Sequence, residues 1–107
     1  MGTLESQIID FAAHETGVRA NNVAIGTRLL QDLGMDGDDA VEFFNLFSDK
    51  FNVDLSRLLQ HWHHHFGPEG ILHGLPFRGP EIEITIQDLL DSAIAGRWLK
   101  RYRGEEG

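Results

Sequence analysis

The chain has 107 residues, enough for one domain around one modest core. Hydrophobic residues make up 41% and charged residues 24%, ordinary for a soluble globular fold, but seventeen acids against nine Lys and Arg leave a formal net charge of −8. That balance repels nucleic-acid phosphates and makes a basic protein surface the natural partner. With no Cys, disulfides, thiolate metal sites and a Cys nucleophile are excluded. No apolar run approaches the ~18 residues of a membrane span, so no membrane partner is expected. The opening MGTLESQIIDF lacks the basic-then-apolar pattern of a secretory leader, and the cytoplasm is the expected location.

A first helix is expected over 3–16. Thr3 is the N-cap, Leu4, Ile8 and Phe11 share a face with Ile9, Ala12 and Ala13 beside it, and Gly17 is the stop. Residues 17–36 form a long connection whose apolar points (Val23, Leu29, Leu30, Leu33) are too irregular for one helix and too many for a free loop. They imply a loop pinned to the core, with a short helical turn at 27–33 ending at Gly34. A second helix begins near Gly37, with Asp36 as its cap and Asp39 at N3. Ala40, Phe44, Phe47 and Phe51 make its apolar stripe, flanked by Val41, Phe43 and Leu46. It ends near Lys50, with Asn52 as a left-handed residue. Asp36, Asp38 and Asp39 crowd the positive end of its dipole.

Ser56 is expected to cap a short helix running into His61-Trp62. All three prolines and four of the twelve glycines then fall within 53–84, the mark of an excursion. Residues 81–86, Glu-Ile-Glu-Ile-Thr-Ile, alternate in polarity, but a single strand without a partner has nowhere to send its hydrogen bonds. They read as an extended lead-in to a last helix at 86–95, with Thr85 as N-cap, Asp88 at N3 and Gly96 as the stop. The charge is uneven: residues 1–96 hold fifteen acids and five Lys or Arg, whereas 97–107 hold two acids and four bases. The tail Arg97-Trp98-Leu99-Lys100-Arg101-Tyr102-Arg103 reads as a helical extension that packs Trp98 and Leu99 and leaves its cations in water.

The run Asp32-Leu33-Gly34-Met35-Asp36-Gly37-Asp38-Asp39-Ala40-Val41-Glu42 resembles the acyl carrier proteins, whose pattern is a short helix, a long loop, then Asp-Leu-Gly-x-Asp-Ser-Leu-Asp opening an acidic second helix. The similarity holds from Thr3 to about Leu55 and resumes at Ile84-Thr85-Ile86-Gln87; the stretch 56–84 looks like an insertion. The resemblance implies a single all-α domain over 1–107, an acyl-carrier-protein-like bundle of three main helices plus one short helix, in a divergent bacterial branch. It also implies 4′-phosphopantetheine as the family's group. The position of the esterified serine is Gly37, which has no hydroxyl to carry it, so no cofactor is expected. The expected function is therefore non-enzymatic: docking to the basic surface of a protein partner through Asp36, Asp38, Asp39 and Glu42. The four phenylalanines of the second helix are expected to fill the space an acyl chain would use.

Two other readings stay open. One is a working acyl or peptidyl carrier in fatty-acid or polyketide-type synthesis. The other is a small ligand- or metal-binding module built on the excursion, where His61 and His65 would share a face at i, i+4 if 57–65 were helical, with His73 or Glu69 folding back. A third ligand is not evident, and no metal site is expected. No Gly-rich phosphate loop, Gly-x-Ser-x-Gly or isolated acid–base pair supports catalysis. Oligomeric state is not encoded in any pattern of the chain.

Overall fold

The computed structural model describes residues 2–62, 65 and 82–102. Four α-helices appear among the described residues: α1 (Leu4–Thr16), α2 (Gly37–Phe51), α3 (Ser56–Gln60) and α4 (Ile86–Ala95), with a 3-10 turn at Ala20–Asn22. No strand occurs among the described residues, whose fold is all-α.

The long helices start and stop where local chemistry says they should. The Thr3 hydroxyl accepts from the Ser6 amide at 3.1 Å, and Gly17 closes α1 at φ 75°. Thr85 and Asp88 form the reciprocal capping box of α4, which ends on Gly96 at φ 78°. Asn52 ends α2 in the left-handed region, and the Ser48 hydroxyl donates to the Val53 carbonyl at 2.7 Å across that corner. The short helix is capped differently from expectation. Ser56 is its first residue, and the Asp54 carboxylate accepts from both the amide and the hydroxyl of Ser56, at 2.9 and 2.6 Å. These bonds hold the Asp54 carboxyl below its ordinary range.

The core is aromatic. The Phe11 ring of α1 lies 5.1 Å from Phe43 and 5.6 Å from Phe51, and Phe44 meets Trp98 edge-on at 5.9 Å. Ile8, Leu29, Leu58, Ile86 and Leu89 complete it, all fully buried. Val23 and Leu29 pin the first connection down as expected and Leu33 is partly buried against the core, whereas the remaining buried anchor is Met35 and not Leu30. The helical turn near 30 is present, with the Gly34 amide donating to the Leu30 carbonyl at 3.0 Å.

Two features depart from expectation. The lead-in to α4 does find a partner: the Leu29 amide donates to the Ile84 carbonyl, Ile86 to Thr27 and Gln87 to Ile25, around an antiparallel bridge between Arg28 and Thr85. Arg28 reinforces this seam, gripping Asp32 at 2.9 Å and reaching Glu83 at 3.4 Å; the pairing holds the Asp32 carboxyl below its ordinary range. The tail, in turn, is not a helical extension. Asp54 and Arg97 form a parallel bridge, with the Trp98 amide donating to the Asp54 carbonyl at 2.9 Å, and residues 98–102 continue without helix. Trp98 is 0% exposed, and Lys100 pairs with Asp88 at 2.9 Å rather than standing in water.

Candidate functional site

The entrance to α2 is built from a buried anchor and a reversal. Met35 is buried and its amide donates to the Leu29 carbonyl at 3.0 Å, fixing the chain just before the helix. Asp36 follows in extended conformation, half-buried, and makes no side-chain cap bond, contrary to expectation. The physical reason lies one residue on. Gly37 sits at φ 59°, so the first residue of the helix lacks the helical dihedrals on which a side-chain cap depends. A left-handed backbone costs a residue with a Cβ roughly 1–2 kcal/mol. Glycine at 37 thus answers a need of the backbone.

Ala40, Phe43, Phe44 and Phe47 face the core, while Asp38, Asp39 and Glu42 are exposed. Asp38 and Glu42 are related as i, i+4 and Asp39 and Glu42 as i, i+3, so the three carboxylates share one patch. No ion pair among the described residues involves any of them.

Two clefts flank this ridge. On the α1 side a cleft of about 220 Å³ is rimmed by Glu15, Asp39 and Glu42 over Gly34, Met35 and Phe43. Glu15 is an acidic neighbour missed in the sequence. Its only signal was its place in the last turn of α1, on the face carrying Phe11. On the α3 side lies an apolar cleft of about 250 Å³ beside Phe44, walled by Val41, Leu59 and Trp62. Phe11, Phe43, Phe47 and Phe51 pack ring against ring between α1 and α2, while Phe44 turns its ring toward Trp98 and toward Trp62 at the α3-side cleft.

The histidine pair does not share a helical face, the condition on which the metal-binding alternative depended: α3 ends at Gln60, before both His61 and His65. His65, 1% exposed, has both ring nitrogens engaged. Nδ1 lies 2.8 Å from the Ile82 carbonyl, which can only accept, so Nδ1 donates. Nε2, 2.6 Å from the Tyr102 hydroxyl, then accepts from it, and the Trp98 indole N–H donates to the same oxygen at 2.8 Å. His61 stacks on the Tyr102 ring at 4.0 Å. Among the described residues no group of three or more His, Cys, Asp or Glu could hold a metal ion. His73 and Glu69 lie outside the described residues. No helix among those described is long and apolar enough to cross a membrane.

A family model with the description "Protein of unknown function (DUF1493)" matches residues 1–101. The chain belongs to the DUF1493 family. This corrects the resemblance to acyl carrier proteins: the match covers nearly the whole chain and is to a different family. The left-handed Gly37 agrees with the correction, because the run that carried the resemblance turns on a residue whose backbone disfavours serine. No curated protein and no solved structure matches this DUF1493 chain.

Proposed function

We propose that this DUF1493 protein is a non-enzymatic, cytoplasmic docking domain that engages a basic protein surface through Asp38, Asp39 and Glu42, with Asp36 adding its charge from a half-buried position. One observation carries the reading: three exposed carboxylates, in no ion pair among the described residues, stand together on a helix whose opposite face is buried. Charges so placed contribute little to stability, and their effect at distance is to attract and orient a basic surface. The formal net charge of −8 has the same sign and opposes nucleic acid as the partner.

The test begins with affinity capture from the source cells and identification of the retained protein. Its recombinant form then meets wild type and an Asp38→Lys, Asp39→Lys, Glu42→Lys variant in stopped flow. Circular dichroism should be unchanged, while the association rate falls at least tenfold at low salt and loses its salt dependence. A variant that associates as fast as wild type at low salt would refute the reading.

A further inference from the structure

The acidic ridge is bordered on its α3 side by apolar surface that the ridge does not explain. Val41, from the same turn as Glu42, is 43% exposed, and Leu59, on the facing wall, is 65% exposed. Between them the cleft of about 250 Å³ reaches down to Phe44 and to Trp62, whose ring meets Phe44 edge-on at 5.8 Å. Asn45 and Ser48 continue the α2 wall beyond Val41. The wall from Val41 to Ser48 runs for about 10 Å, two turns of helix.

Among the described residues Asp54 lines this cleft and no Lys or Arg does, and Asp38, Glu42 and Asp49 follow along the adjoining ridge at i, i+4 and i+11. Arg57 of α3 and Lys50 of α2 do not line it. The Arg57 guanidinium donates to the Trp98 and Lys100 carbonyls at 2.6 and 2.8 Å, and Lys50 lies over the Phe51 ring. Two helices and the corner Val53–Leu55 between them wall the cleft, and the Val53 and Asp54 amides are already bonded, to the Ser48 and Gly96 carbonyls, so the described walls offer no strand edge for an extended peptide.

We propose that the cleft between α2 and α3 seats the apolar anchors of a basic amphipathic helix of a partner protein, while Asp38, Glu42 and Asp49 face its Lys and Arg. This deepens the docking reading and rests on it. An apolar seat beside a one-signed ridge selects a ligand in two ways: anchors spaced i, i+3, i+4 and i+7 fill the cleft, and flanking cations fix its direction.

The probe is a synthetic Leu/Lys peptide of about fourteen residues, four helical turns, with leucines at that spacing. Its control is a scrambled peptide of identical composition. Binding is followed by Trp emission and by amide shifts of the labelled protein, against wild type, a Val41→Gln/Leu59→Gln variant and the triple-Lys variant. Both cleft substitutions are at exposed sites, and circular dichroism verifies the fold.

The patterned peptide should bind at least tenfold tighter than the scrambled one, shift the amides of Val41, Leu59 and Trp62, and blue-shift the Trp62 emission. Val41→Gln/Leu59→Gln should weaken it at least tenfold at low and high salt alike, and the triple-Lys variant chiefly at low salt. If the two peptides bind equally, or the cleft variant binds as wild type, the cleft proposal is overturned while the acidic docking reading survives. If the cleft variant loses binding and the triple-Lys variant does not, the acidic reading falls, and the basic character of the partner with it. If neither peptide binds and the protein is a dimer that Leu59→Gln dissociates, the seat belongs to a second copy of this chain and the proposal is overturned.

Discussion

At the scale of single residues, Gly37 shows how a sequence pattern can mislead. Read along the chain, the run from Asp32 to Asp39 places Gly37 where a hydroxyl would be expected, and the glycine looks like a loss. In three dimensions it occupies a left-handed position between an extended Asp36 and the first turn of α2. Sequence carries no dihedral, so the two readings could not be separated from composition alone. Replacing Gly37 with Ala should therefore destabilise the protein by about 1 kcal/mol: the left-handed strain of roughly 1–2 kcal/mol is partly offset by the stiffer unfolded chain. Gly26 is the control. It has no positive φ and open space around its would-be Cβ, so Gly26→Ala should be neutral or stabilising by up to ~1 kcal/mol. Urea unfolding midpoints of the two variants test the contrast, and equal shifts would remove the backbone explanation for Gly37.

At the scale of elements, what was legible is what is local. Thr3 with Gly17, Thr85 with Asp88 and Gly96, and the Phe stripe of α2 act within one or two helical turns, and those helices lie where the spacing put them. What was not legible depends on contacts between distant residues. The lead-in to α4 finds its hydrogen bonds on residues 25–29, and nothing in either segment names the other. The same holds for the tail, whose cationic composition suggested solvent. Arg57 draws it in by donating to the Trp98 and Lys100 carbonyls, and Tyr102 joins it to His65 and Trp98. The acidic ridge was legible because its charge and period are both local, whereas the apolar cleft beside it needed α3 in place. The Tyr102 hydroxyl is the joint of the buried network. Tyr102→Phe should cost about 1–3 kcal/mol, since the Trp98 N–H and the His65 Nε2 lose a buried partner while the ring's packing is kept. Equilibrium unfolding should show the loss with unchanged helical content at low denaturant. A change below 0.5 kcal/mol, on the order of an exposed substitution, would mean that another group satisfies both atoms.

At the scale of the whole molecule, the division into an acidic body and a basic tail is true of the charges and untrue of the fold. Trp98 is among the largest side chains of the core, fully buried and edge-on to Phe44, and the Asp54–Arg97 bridge ties its segment to the corner after α2. The tail is thus the last wall of the core. Its described cations divide accordingly: Lys100 is paired with Asp88, while Arg97 and Arg101 are exposed. This separates two variants that sequence alone would group together. Arg97→Gln/Arg101→Gln removes exposed charge and should leave stability within about 0.5 kcal/mol of wild type. Trp98→Ala empties the centre of the core and should cost about 3–5 kcal/mol, a large share of the roughly 5–15 kcal/mol available to a domain of this size. Truncation after Gly96 also removes Tyr102 and the carbonyls that hold Arg57, and should abolish cooperative unfolding. Thermal and urea melts of the three proteins decide the matter: a truncated chain that still melts in one sharp transition near the wild-type midpoint would return the tail to the status of an appendage.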